Sequence, residues 1–205
     1  LRRGPRAPVL RGATMTTDIN ICNAALLELG GTPINSFRDG TVWATVCAGI
    51  YPGAKSEIMR AHFWNALMAR AVLAPLAASP AHSWAYQFAA PGDWVRTYQV
   101  GYDGEPIEYQ FEARRFLANT NVLPIVYVAD KPEDQWDAGL VAVMTARMRL
   151  ALAYPVTKSA SLRDSMKEEF YRRGSGVLAM ARAQDGQENP PEDWSDSPLL
   201  QARAA

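Results

Sequence analysis

Hydrophobic positions recur with a helical period near both ends of this chain and with a period of two in its middle. Over 18–29, Ile19, Cys22, Leu26 and Leu29 share one helical face. Gly30-Gly31-Thr32-Pro33 then stops the helix with residues that accept positive φ and cannot continue it. Asp18 is the predicted N-cap. A second stripe of Trp43, Cys47, Ile50 and Tyr51, followed by Ile58 and Trp64, predicts a helix capped by Thr41. Pro52 either kinks that helix or opens a new one, because its ring clashes with the carbonyl four residues back. Residues 63–73 read as further helix. The first two helices, joined across a Gly/Pro turn, should pack antiparallel. In the loop between them, Pro33-Ile34 and Phe37 should tuck under the helices.

Pro75, Pro80 and Pro91 make 74–92 a long connection, with Trp84, Tyr86 and Phe88 alternating along it. Trp94, Arg96, Tyr98 and Val100 then alternate with Val95, Thr97 and Gln99. Asp103-Gly104 signals a tight hairpin, and Ile107, Tyr109 and Phe111 alternate with Glu108, Gln110 and Glu112. A last strand over 122–128 contains Pro124, which should push it to an edge. Trp136, Leu140, Met144, Met148 and Leu152 predict a long helix over 134–153, ended by Pro155. Ser161-x-x-Asp164 should start a last helix carrying Leu162, Met166, Phe170 and Val177. Gly174 and Gly176 weaken it by ~1 kcal/mol each relative to Ala. The predicted class is α+β, mainly α. An antiparallel helical bundle (18–73 and 134–184) carries a small inserted antiparallel β-meander (93–129). One domain spans 15–185, preceded by a disordered extension over 1–14 and followed by an extended C-terminal tail over 186–205.

Length and composition fit one domain: 205 residues, 48% hydrophobic. No run approaches 18 apolar residues, so no membrane span is expected. The net charge is zero but unevenly spread. Residues 1–14 hold four of the 21 basic residues and no acid, leaving 17 basic against 21 acidic residues from Met15 onward. That basic arm reads as a disordered extension, either translated from an upstream start or a remnant of cloning; weak, salt-sensitive nucleic-acid attachment is the sharper alternative. Residues 185–196 hold five acids and no base. With isolated Trp194 and Leu199-Leu200, the tail has too few apolar residues to fold alone and should order only against a partner. Cys22 and Cys47 read as small buried hydrophobes, with a disulfide between them left open.

Candidate chemistry is sparse. His62, His82 and two separated cysteines offer no ligand pairs at metal spacing. His62, beside Phe63-Trp64, reads as a packed or capping histidine. Gly174-Ser175-Gly176 lacks the strand that precedes a nucleophile elbow, and no phosphate loop occurs. Asp103, Glu105, Glu108 and Glu112 on the hairpin offer carboxylates for glycoside hydrolysis, against the plainer reading of a solvated strand face. No catalytic, cofactor or metal residue is assigned. Six Trp and eight Tyr are many for a neutral chain of this size, and such residues anchor interfaces as often as cores. The chain reads as an interaction or assembly protein.

The pattern I-C-N-A-A-L-L-E-L-G-G-T-P-I-N-S-F-x-D at 21–39 resembles the opening of the phage head-to-tail adaptor family, which includes the podovirus tail tubular protein A. Ala44, Cys47, Tyr51-Pro52-x-Ala54, Arg60-Ala61-His62-x-Trp64-Asn65, Arg70 and the final Leu200-x-Ala202-Arg203 extend the likeness. The chain departs from that family in having Phe63, not Pro, directly before the Trp, and in the glycines at 174 and 176. The resemblance implies a mostly helical body with a β excursion. It implies a dodecameric ring made in the host cytoplasm and carried in the virion at the head–tail junction, between portal and tail or nozzle protein, with double-stranded DNA passing through unread. It implies no catalytic residue, no cofactor and no membrane. Helices would form the ring wall, the β segment would reach neighbouring subunits or the tail, and the C-terminal tail would dock into the portal. The net-negative body suits a channel past which phosphates must slide. By element position, the predicted interface residues are Trp94, Tyr98, Tyr109, Phe111, Arg114, Arg115, Trp194, Leu199, Leu200 and Arg203. A glycan hydrolase acting as a virus enters its host, and a generic helical scaffolding module, are the alternatives.

Overall fold

The computed structural model describes residues 16–188. Among them are five α-helices and seven strands in two antiparallel sheets. This corrects the expected helical bundle with one small inserted meander: the β region forms two full layers of the molecule.

Helix α1 (Asp18–Glu28) is capped by Thr17, one residue before the expected Asp18; the Thr17 hydroxyl accepts from the Asn20 amide at 3.2 Å. Gly30, at φ 77°, ends it, and the Gly31 amide donates to the Leu26 carbonyl at 2.8 Å. Helix α2 (Val42–Ala61) is capped by Thr41 and runs unbroken through Pro52. Pro52 and Gly53 lie exposed, so the ring meets solvent and not the core.

After His62 the backbone is extended, and a 3-10 turn (Asn65–Leu67) leads into strand β1 (Met68–Leu73). Residues 63–73 are therefore not the predicted helix. Alanine-rich 68–73 has local helical propensity, but pairing along its full length with the last strand overrides it. Strands β2 (Tyr86–Ala89), β3 (Trp94–Tyr102), β4 (Glu105–Pro106), β5 (Tyr109–Glu112), β6 (Arg115–Ala118) and β7 (Leu123–Ala129) follow. The sheet orders are β1-β7-β3-β4 and β2-β6-β5. β2 and β6 were not predicted as strands.

Strand β7 is central, not an edge, and all seven of its residues are buried. Leu123, Ile125, Tyr127 and Ala129 pack with Phe88, Phe116 and Ala118 of the second sheet. Val128, on the opposite face, joins the helical core with Trp64, Leu140 and Met144. The run Leu-Pro-Ile-Val-Tyr-Val-Ala is thus a strand covered on both faces, which is why it is continuously apolar. Pro124 is tolerated at one end of it. It pairs with Val72 of β1, whereas pairing with β3 stops one residue short, at Val100 and Ile125.

A 3-10 turn (Glu133–Gln135) precedes helix α3 (Ala138–Thr157), capped by Asp137. The helix therefore starts later than predicted and passes Pro155, ending at Lys158 in the left-handed region. The five apolar positions spaced by four, Trp136 to Leu152, are all buried. By length and composition alone α3 is long and apolar enough to cross a membrane. Here it packs against α1, α2, α4 and α5. Helix α4 (Ala160–Tyr171) is capped by Ser159, not Ser161. Gly174, at φ 75°, separates it from α5 (Val177–Gln187), so the predicted last helix is two. The molecule has three layers: helices, the four-stranded sheet, and the three-stranded sheet. Residues 1–14 and the tail beyond Glu188 lie outside the described residues.

Candidate interaction surface

The motif that carries the family resemblance is a structural brace. Asn23 on α1 holds the backbone of Ile34 from both sides: its amide donates to the Ile34 carbonyl and its oxygen accepts from the Ile34 amide, each at 2.8 Å. Ile34 is thereby held in the core. Asp39 accepts from the Asn35 amide and, at 2.9 Å, from the Ser36 hydroxyl; its backbone hydrogen bonds to Asn35 and Ser36 hold its carboxyl below the usual range. Phe37 meets Tyr51 at 5.9 Å between rings, and the Tyr51 hydroxyl donates to Glu133 at 2.9 Å. Burial, then the Glu133 charge, push the Tyr51 pKa up. Cys22 and Cys47 are buried free thiols, and the hydrogen bond between them, with burial, pushes Cys22 up.

The second motif segment braces the other end. Trp64 donates to the Ile58 carbonyl at 2.8 Å. Asp185 of α5 is buried; one carboxylate oxygen lies 3.0 Å from His62 Nε2 and the other accepts from the Asn65 amide at 3.0 Å. Asn65 Nδ2 also donates to the Asp185 carbonyl at 2.7 Å. The sequence placed Asp185 at the head of an acidic tail; only its position on α5, opposite His62, reveals it as an internal anchor.

The predicted interface residues fall into groups. Trp94, Tyr109, Phe111 and Arg114 gather around Phe116 at the β5–β6 hairpin. Trp94 and Phe111 lie 4.5 Å apart between ring centroids, Phe111 and Phe116 4.7 Å, and Tyr109 and Phe116 5.8 Å. Arg114 stands 5.8 Å from the Trp94 ring and donates to the Pro91 carbonyl at 3.2 Å. Phe116 is fully buried, while Tyr109 (40%) and Phe111 (36%) remain exposed. The hairpin turn, Ala113-Arg114, is left-handed at both residues (φ 47° and 58°), the geometry of a two-residue β-turn that usually takes Asn-Gly. Arg115 turns the other way, donating at 2.9 Å to the buried Gln87. Tyr98 lies apart from this group, edge-on to Phe63 at 4.9 Å. Trp194, Leu199, Leu200 and Arg203 lie outside the described residues. Phe116 was not singled out from sequence; a Phe two residues beyond a two-residue turn was its only signal.

The hairpin carboxylates do not converge. Asp103 accepts from Gln99 at 3.0 Å and lines one depression with Pro124, whereas Glu112 lines another with Gln110 and Arg115. Among the described residues no three His, Cys, Asp or Glu side chains are grouped to hold a metal. No known family model and no curated protein matches the chain.

Proposed function

We propose that this chain is a structural virion protein that acts mechanically, without catalysis, as a head-to-tail adaptor. Copies would assemble as a ring, twelve-fold in the family it resembles, joining the portal to the tail or nozzle protein. The ring would continue the channel through which DNA passes without sequence-specific contact. The observation that carries the reading is the hairpin tip. Exposed Tyr109 and Phe111, backed by Trp94 and Arg114, stand on a turn whose left-handed backbone costs about 1–2 kcal/mol per non-glycine residue. A tip built this way suits a rigid anchor for a neighbouring subunit. The likeness of the 21–39 motif to the adaptor family is the second support for the reading; in this chain Asn23, Gly30, Gly31 and Asp39 each have a part in one local brace.

Stopping translation of the gene in the producing cell and imaging the particles tests the proposal. Filled or leaking heads without attached tails are expected. Normal tailed particles would overturn it.

A further inference from the structure

A groove of about 930 Å³ opens on the helix-facing side of the four-stranded sheet, where the helical layer ends. Phe63, Met68, Arg70, Tyr98 and Val126 line it, and Glu188 stands at its rim. Tyr98 is 56% exposed. The surroundings are basic. The Arg96 guanidinium stacks 3.7 Å from the centroid of Phe63. Burial, then the charges of Arg60 and Arg182, hold Arg96 below the usual arginine range. Arg182 Nε is buried with no hydrogen-bond partner. Among the described residues none of Arg60, Arg70, Arg96 and Arg182 forms an ion pair. Asp185 also lines the groove, but both its carboxylate oxygens are taken by His62 and Asn65. Arg70 therefore lines a groove of mixed apolar and polar character, and Arg96, stacked on Phe63 with Arg60 and Arg182 near it, stands alongside; these four guanidiniums outnumber the two carboxylates of Asp185 and Glu188.

The chain itself supplies what is missing. Glu188 is the last described residue, and the sequence continues Asn-Pro-Pro-Glu-Asp-Trp-Ser-Asp-Ser-Pro-Leu-Leu. Glu192 is four positions on from Glu188, a reach of at most about 14 Å; Asp196 is eight positions on, within about 28 Å. The chain length keeps the three carboxylates and Trp194 within about 28 Å of that rim. We propose that segment 192–200 of the same molecule seats in this groove, with Glu192, Asp193 and Asp196 against the arginines and Trp194 against Phe63 and Tyr98. This seat does not depend on the adaptor reading.

The full chain carrying Ser195→Cys with a spin label tests it; Cys22 and Cys47 are buried and spared. One sample dilutes isotope-enriched, spin-labelled chain into unenriched, unlabelled chain. The other mixes enriched, unlabelled chain with unenriched, spin-labelled chain. Amide signals of Phe63, Met68, Arg70 and Tyr98 should broaden in the first sample only. Reversing the tail charges (Glu192→Lys, Asp193→Lys, Asp196→Lys) should abolish that broadening, with the signals of the core unmoved. Broadening confined to the second sample would assign the groove to a neighbouring copy's tail and overturn the proposal. No broadening in either sample, or broadening that survives the charge reversal, would overturn it as well.

Discussion

At the scale of single residues, the decisive positions satisfy or strain the backbone. Asn23 meets both polar groups of the Ile34 backbone, in a segment with no regular structure to satisfy them. Asn23→Ala leaves a donor and an acceptor unpaired beside a core residue, and about 1–3 kcal/mol should be lost in urea unfolding. Gly101 sits at φ 105°, and a Cβ there would come within 2.3 Å of the Glu105 carbonyl. Gly40 is also left-handed, at φ 70°, but faces open space. Gly101→Ala should therefore cost about 2–4 kcal/mol, adding a backbone collision to strain, and Gly40→Ala only about 1–2. Equal shifts of the two urea midpoints would contradict this account.

At the scale of elements, the molecule depends on one strand. β7 is paired on both sides and buried on both faces, so the two apolar clusters share it. The hairpin β5–β6 is the opposite case, a two-residue turn holding unfavourable backbone conformations at Ala113 and Arg114. Ala113→Gly removes the Cβ penalty at one of them. It should raise stability by about 0.5–1 kcal/mol, the strain relief partly offset by the entropy of the unfolded glycine. A higher urea midpoint with an unchanged m-value is the expected reading.

At the scale of the whole molecule, charged pairs tie the helices together across the sequence. Arg147 on α3 holds Glu57 on α2 at 2.8 Å, and Tyr171 at the end of α4 donates to the same carboxylate. Arg149 bridges Glu28 on α1 at 2.8 Å and Glu169 on α4 at 3.3 Å. Burial alone would push Glu57 up, but the hydrogen bonds from Arg147 and Tyr171, with the Arg147 charge, outweigh it and lower its pKa. Stability linked to Glu57 is therefore full above the ordinary carboxyl value of 4.5 and is lost as pH falls through the lower native value. Arg147→Met should flatten that part of the acid limb in unfolding measured between pH 7 and pH 2. The effect should be modest, because the Glu57 side chain is 40% exposed and solvent screens the pair.

The sequence by itself determined what depends on neighbours along the chain. Thr41 as a cap, the Gly30-Gly31 stop and the period-four face from Trp136 to Leu152 are local patterns, and the structure holds each of them. The expected alternation of β3 is not kept: its register against β7 shifts between Trp94 and Arg96 and again between Thr97 and Gln99, so burial does not alternate along it. Tertiary pairing decided the rest. Residues 68–73 are a strand because β7 lies alongside them, and β7 is central because a second sheet covers its other face. Neither partner is near in sequence. The surface was legible only in part. Aromatic content announced contact residues, but which of them cluster was settled by the β5–β6 turn, which brings Phe111 to Phe116. Asp185 shows the limit most clearly. Its acidic neighbours in sequence suggested a solvated tail, whereas His62 and Asn65, more than a hundred residues away, hold it inside the fold. A buried carboxylate is recognised by the donors that surround it, and those donors are assembled only when the chain has folded.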